Sequence, residues 1–157
     1  MIQQIVVLGA GQMGNGIAQV CAQAGYKITL VDISEKQREV AQTTIVKNLD
    51  RLVKKGTLSN AAKEEAIACL SFCDAIPHPD FDLLIEAVTE NIALKMRLLA
   101  DASHSLKKEA IIASNTSSIS LTQLAVATDR PEQVIGMHFM NPVPIMQLVE
   151  VIRSLTT

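Results

Sequence analysis

His138, Glu150 and Ser117 are the side chains best suited to exchange a proton with a hydroxyl-bearing substrate. A histidine beside a carboxylate forms an acid/base pair in which the imidazole moves the proton and the carboxylate fixes its tautomer and steadies its charged form. Glu150 interrupts the apolar run Leu148-Val149-Val151-Ile152. On a two-residue period it shares a face with Leu148 and Ile152, so it is expected to be partly buried and to need a partner. His138 is the natural one, and Ser117 could hydrogen-bond the same substrate oxygen. Taken singly, these residues have plainer readings: Asn115-Thr116-Ser117-Ser118 as a turn and helix cap, His138 as a satisfied strand histidine.

The start of the chain carries a different chemistry. Gly9-Ala10-Gly11-Gln12-Met13-Gly14 follows the apolar run Ile5-Val6-Val7-Leu8. The spacing is G-x-G-x-x-G between a buried strand and a helix, where the glycines allow a tight turn, close backbone approach to phosphate and close helix-on-strand packing. A helix beginning near Gln12, with Met13 in its first turn, aims unpaired N–H groups and its positive dipole end at the loop, which favours an anion. Asp32 closes the next apolar run, Ile28-Thr29-Leu30-Val31, at the distance where an acid accepts the adenosine ribose hydroxyls of a dinucleotide. A carboxylate there would repel a 2′-phosphate, so the reading is NAD, although Lys36 and Arg38 stand close by in sequence. A nicotinamide held on this loop would exchange a hydride while His138 exchanges the proton.

These residues need elements that bring them together. Ser34 with Gln37 makes a capping box, opening a helix to Lys55 that Gly56 stops, with Ile45, Leu49, Leu52 and Val53 as its buried stripe. A second helix starts after Ser59, and the sheet resumes at 70–72. The pair reads as an inserted helical hairpin over about 34–68, a candidate lid or substrate-side element. A continuous apolar strand is expected over 81–88 and a helix over 91–106 with Ile92, Met96, Leu99 and Leu106 on one face. A strand at 110–113, a short helix at 121–127 and a strand at 134–138 follow. A last strand at 148–152 comes after the break Asn141-Pro142-Val143-Pro144. This alternation predicts an α/β chain of the Rossmann type, a doubly wound, mostly parallel sheet with helices on both faces. Ligands of such sheets gather beyond the carboxyl ends of the strands. Four polar groups fall at those junctions: Asp32, Glu90, Asn115 to Ser118, and His138 with Asn141.

Bulk properties narrow the partner. The 157 residues suit one domain with a core of its own. With 14 basic against 16 acidic side chains the net charge is -2, so no broad field draws nucleic acid or an anionic membrane; 3% aromatic residues leave few stacking platforms for single strands. No apolar stretch reaches the roughly 18 residues of a membrane span and no signal-like leader precedes the first strand, so the chain reads as cytoplasmic. Cys21, Cys69 and Cys73 read as reduced thiols. Cys69, Cys73 and His78 lack a fourth ligand at structural-zinc spacing, and no metal is expected.

The sequence resembles the NAD-binding domain of the 3-hydroxyacyl-CoA dehydrogenase family over essentially all of its length. The resemblance rests on Gly9 to Ala18, Glu86-Ala87-Val88-Thr89-Glu90-Asn91 with Lys95, Ala113-Ser114-Asn115-Thr116-Ser117-Ser118, and Gly136-Met137-His138-Phe139-Met140-Asn141-Pro142-Val143-Pro144 continuing through Leu148 to Ile152. It implies His138 as catalytic base, Glu150 as its carboxylate partner and Ser117 on cofactor and substrate oxygen. It implies Asp32 on the adenosine ribose, Glu90, Lys95 and Asn141 along the nicotinamide half of the groove, and Lys55 on coenzyme A. Lys54 and Lys55 read equally well as cations complementing a helix C-terminus. The family's second, all-helical domain, which completes the acyl-CoA site and dimerises, has no counterpart in residues 1–157. The chain alone is therefore expected to bind NAD(H), to turn over acyl-CoA weakly or not at all, and to associate with itself or with such a helical domain through apolar surface at its last strand. The alternatives are a non-catalytic NAD-binding or partner-binding module, or a 6-phosphogluconate-type or other β-hydroxyacid dehydrogenase with a similar glycine loop, which would use a lysine base.

Overall fold

Strand β1 (Gln4–Leu8) is covered on both faces: Ile5 and Val7 enter one apolar cluster, Val6 and Leu8 another. Period-two alternation in a strand buried from both sides requires helices above and below it. The computed structural model describes residues 1–157 and supplies them. On the first face lie α1 (Gln12–Gln23), α2 (Glu35–Lys54) and α3 (Asn60–Ala68), which bring Ile17, Ala18, Ala41, Ile45, Leu49 and Ala66 into the core with Ile5 and Val7. On the second lie α4 (Ile92–Ser105) and α5 (Leu121–Ala125), with Leu99, Ala102 and Leu124 against Val6 and Leu8. Each fully buried Leu or Ile contributes roughly 1.5–3 kcal/mol, which outweighs any intrinsic preference of these short segments.

The remaining strands are β2 (Lys27–Val31), β3 (Leu70–Cys73), β4 (Leu83–Glu86), β5 (Ile111–Ser114), β6 (Val134–Phe139) and β7 (Val149–Arg153). They form a single sheet in the order β3-β2-β1-β4-β5-β6-β7. The first six strands are parallel, and β7 runs antiparallel to β6. The order reverses between β1 and β4, the switch point where such sheets open a crevice for a dinucleotide. The expected Rossmann-type architecture is therefore present, and α2 with α3 together form the β2 to β3 crossover. Side chains cap α2, α3 and α4: Ser34, Ser59 and Asn91 accept from Gln37, Ala62 and Leu94 N–H. No helix is long and apolar enough to cross a membrane.

Several local expectations need correction. The strand expected over 81–88 is shorter, and its last residue is the fully buried Glu86 rather than an apolar side chain. Ile92 is exposed, because it opens α4 before the helix meets the sheet; the buried face runs through Lys95, Leu99, Ala102 and Ser103. In α2 the buried stripe is Ala41, Ile45 and Leu49, with Leu52 and Val53 half-buried. Glu150 is not buried. As an edge strand, β7 has only β6 beside it, and Leu148, Val151 and Ile152 are exposed along with Glu150.

Candidate active site

The glycine loop bridges β1 and α1, and its three glycines meet different surroundings. Gly9 has φ +97°, and a Cβ there would lie 2.7 Å from the Ala87 carbonyl oxygen across the switch point. A Cβ on Gly14 would lie 1.7 Å from the Gly9 carbonyl oxygen, so helix and turn can approach only if residue 14 lacks one. Gly11 differs from both. Its φ is -69°, and a Cβ would meet nothing within 4 Å. Neither conformation nor internal packing asks for glycine there, but the backbone approach of a bound phosphate does. Gly11 is also the N-cap of α1, which has no side-chain cap and no acid in its first turn. The N–H groups of Gln12 and Met13 are thus left for an anion. These residues fit a dinucleotide pyrophosphate.

Asp32, at the end of β2, faces this loop. One carboxylate oxygen accepts from Ala10 N–H at 2.9 Å and the other from Ser34 N–H at 2.8 Å, fixing the acid between the glycine turn and the start of α2. Each oxygen retains acceptor capacity for a ribose hydroxyl. Arg38 donates to the Asp32 backbone carbonyl at 2.6 Å, which holds a guanidinium beside the same position. If the adenosine end of a dinucleotide sits at β2, its other half, across the switch point, falls over β4, β5 and β6.

That half is built on a buried polar cluster. Glu86 is fully buried and Lys95 is 1% exposed. Glu86 Oε1 accepts from Lys95 Nζ at 2.6 Å and from Val88 N–H at 2.7 Å, while Oε2 accepts from Ser114 Oγ at 2.5 Å. Lys95 also donates to the Val88 carbonyl and faces Glu90 at 3.8 Å. Glu90, partly exposed, accepts from the Thr116 hydroxyl, whose oxygen in turn accepts from Ile119 N–H at 3.0 Å. Of the residues expected along this half, Glu90 is accessible, whereas Lys95 lies beneath the groove with its ammonium tied inward.

His138 sits near the end of β6, directly opposite Glu150 on β7. Its Nδ1 is 2.9 Å from Glu150 Oε2. An ionised carboxylate only accepts, so Nδ1–H donates and, in the neutral ring, Nε2 keeps its lone pair. The ring is 24% exposed, reachable yet enclosed by the sheet. The β5 to β6 ladder ends at Ser114 and Gly136, and Asn115 Oδ1 continues the link by accepting from Phe139 N–H at 2.8 Å. Asn115 thereby joins the exposed Ser117 loop to the strand that carries His138. Asn141, two residues beyond β6, accepts from Gln12 Nε2 at 3.3 Å, so the far end of the site touches the glycine loop.

A groove of about 340 Å³ opens between α1, α2 and the loop after β6. Gln12 and Asn141 line one end, and Arg51 and Lys55 also line it. Lys55 is thus placed with Asn141 on one cleft, and α2 forms its wall. Arg51, one turn before Lys55, was not singled out by sequence; the i, i+4 cation pair was the available signal. Glu86, quoted in the family motif but given no role there, is an acid inside an apolar strand. Burial pushes the Cys21 thiol up to about 11, so it stays protonated at neutral pH. No group of three or more His, Cys, Asp or Glu side chains is arranged to hold a metal.

The family described as "3-hydroxyacyl-CoA dehydrogenase, NAD binding domain" matches residues 4–157. A 3-hydroxybutyryl-CoA dehydrogenase of Bradyrhizobium diazoefficiens is 46% identical across 100% of this chain and 54% of its own length. The fatty acid oxidation complex subunit alpha of Pseudomonas entomophila is 43% identical over 98% of this chain and 22% of its own. Among solved structures, (S)-3-hydroxybutyryl-CoA dehydrogenase from Ralstonia eutropha superposes with a TM-score of 0.97 at 46% identity, covering 100% of this chain and 56% of that one. The chain spans about half the length of the 3-hydroxybutyryl-CoA dehydrogenases it matches.

Proposed function

Because the chain belongs to the family of the 3-hydroxyacyl-CoA dehydrogenase NAD-binding domain, we propose that it is the cofactor-binding part of an enzyme that oxidises 3-hydroxyacyl-CoA to 3-oxoacyl-CoA. The observation that carries this reading is the 2.9 Å contact between His138 Nδ1 and Glu150 Oε2 near the carboxyl end of β6. Bound in the crevice at the switch point, NAD supplies a hydride acceptor. His138 Nε2 takes the proton of the 3-hydroxyl, and the imidazolium so formed is stabilised by Glu150. Ser117, on the loop that Asn115 and Thr116 hold beside β6, hydrogen-bonds the same oxygen. Glu90 and Asn141 line the nicotinamide half, with Lys95 beneath the groove and its ammonium paired to Glu86. Lys55 and Arg51 face the acidic coenzyme A part of the substrate along the groove by α2.

The rest of the acyl-CoA site belongs to a second, helical domain, as the chain's coverage of its relatives supports. Ile145, Leu148, Val151, Ile152 and Leu155 leave an exposed apolar stretch around β7, which suits docking of that domain or of a second copy. The test is an acetoacetyl-CoA-dependent NADH consumption assay. Residues 1–157 alone are expected to bind NADH with little or no turnover, and addition of a helical domain, fused or in trans, to produce turnover that His138→Gln abolishes. Full turnover by the 157 residues alone would refute the division of labour, and no turnover in the assembled protein would refute the activity.

A further inference from the structure

Glu86 touches three separate pieces of the crevice: Val88 at the start of the β4 to α4 loop, Lys95 on α4 and Ser114 at the end of β5. A fully buried carboxylate is costly unless every acceptor is used, and here both oxygens are. A buried ion pair is nevertheless weak support for stability alone, since packed apolar residues of the same volume do as well or better. What an apolar pair could not do is fix a charge. Lys95 Nζ lies between two carboxylates, at 2.6 Å from Glu86 and 3.8 Å from Glu90. The nearer one neutralises it, so the partly exposed Glu90 keeps its negative charge toward the half of the crevice over β4 and β5. The oxidised nicotinamide ring carries one more positive charge than the reduced ring, so the charge left on Glu90 discriminates between them.

We propose that Glu86 is a positioning residue that holds the Lys95 ammonium away from Glu90 and thereby biases the site toward NAD⁺ over NADH. The proposal rests on the cofactor reading above, not on the identity of the acyl substrate. In Glu86→Gln the amide can still accept from Lys95 and Val88 and donate to Ser114, but the charge is gone and Lys95 turns to Glu90. Dissociation constants for NAD⁺ and NADH are measured by calorimetry and NADH fluorescence on the full chain, with circular dichroism as the check on folding. The affinity ratio of NAD⁺ to NADH is expected to fall about tenfold, the scale of one charge acting at reduced dielectric. The double variant Glu86→Gln with Lys95→Met, which leaves Glu90 unopposed again, restores the ratio.

If Glu86→Gln does not fold, Glu90→Gln at the partly exposed position decides the matter by shifting the ratio in the same direction. An unchanged ratio in either folded single variant overturns the proposal while leaving the cofactor reading intact. A wild-type chain that binds neither cofactor removes both.

Discussion

His138 and Glu150 face each other across one antiparallel strand pair, imidazole Nδ1 to carboxylate at 2.9 Å, although they lie twelve positions apart in the chain, on either side of a loop. Register rather than a dedicated loop sets this geometry. The partner of His138 comes from the neighbouring β7, and a one-residue slip would send Glu150 to the opposite face. Glu150→Gln in the assembled enzyme keeps the shape but offers an uncharged partner to the imidazolium. It is expected to lower kcat by on the order of 10²-fold with little change in NADH affinity. Steady-state kinetics beside NADH titration separate the two effects, and equal loss in both would argue for a structural role instead.

Gly11 and Gly14 make opposite demands. Gly11→Ala places a methyl group in open space, so the melting temperature is expected to move by less than the equivalent of about 1 kcal/mol, the scale of a changed N-cap. NADH affinity, by contrast, should fall at least about tenfold, because that space is where the phosphates approach. Gly14→Ala drives a methyl group onto the Gly9 carbonyl and should cost about 3 kcal/mol or more of stability. Thermal denaturation with and without NADH distinguishes the pair. A Gly11→Ala chain that binds NADH normally would displace the pyrophosphate from this loop.

The glycine turn, the Ser34 cap, Asp32 and the His138 with Glu150 pairing were legible because each depends on local sequence or on strand period. Glu86 was not. A lone acid among Leu83, Leu84 and Ile85 reads as noise in a strand until a lysine nine residues on, carried by a helix packed over the sheet, is seen to meet it. Lys95 was expected in the wall of the groove, but α4 turns that position inward, where the Glu86 carboxylate and the Val88 carbonyl take up its ammonium. Glu150 was expected to be partly buried because alternation reports which residues share a face. It does not report whether anything covers that face, and Leu148, Glu150 and Ile152 all remain exposed.

Asp82 gives a pH signature remote from the site. The Lys107 ammonium, and then the Gln4 and Gln3 backbone N–H groups, hold its carboxyl well below the ordinary value of 3.8. A carboxyl depressed on folding adds stability that is fully present above its unfolded value and is lost as pH falls through the folded one. Asp82→Asn is therefore expected to be destabilised by about 1–2 kcal/mol at neutral pH, with the gap to wild type closing progressively as the pH falls below 3.8. Denaturant melts across that range measure it. A gap that persists unchanged into strong acid would show that packing, not charge, is at stake.

Asp32 and the arginine beside it are the side chains expected to set cofactor choice. The Asp32 carboxylate spans Ala10 and Ser34 N–H groups, and an added 2′-phosphate would meet its negative charge at close range. Arg38, held at 2.6 Å on the Asp32 carbonyl, is nevertheless positioned to meet such a phosphate once the acid is gone. The wild-type chain is expected to bind NADH more tightly than NADPH. In Asp32→Ser the hydroxyl can replace one of the two loop contacts while removing the repulsion, so NADH affinity should fall and NADPH affinity rise. The preference is expected to narrow by about tenfold or more, the scale of removing one close like charge. Adding Arg38→Ala should cancel the NADPH gain and leave the NADH loss. Paired titrations of both cofactors against the three proteins read this directly; tighter NADPH binding by the wild type, or a gain in Asp32→Ser that survives loss of Arg38, would overturn the assignment of these two side chains.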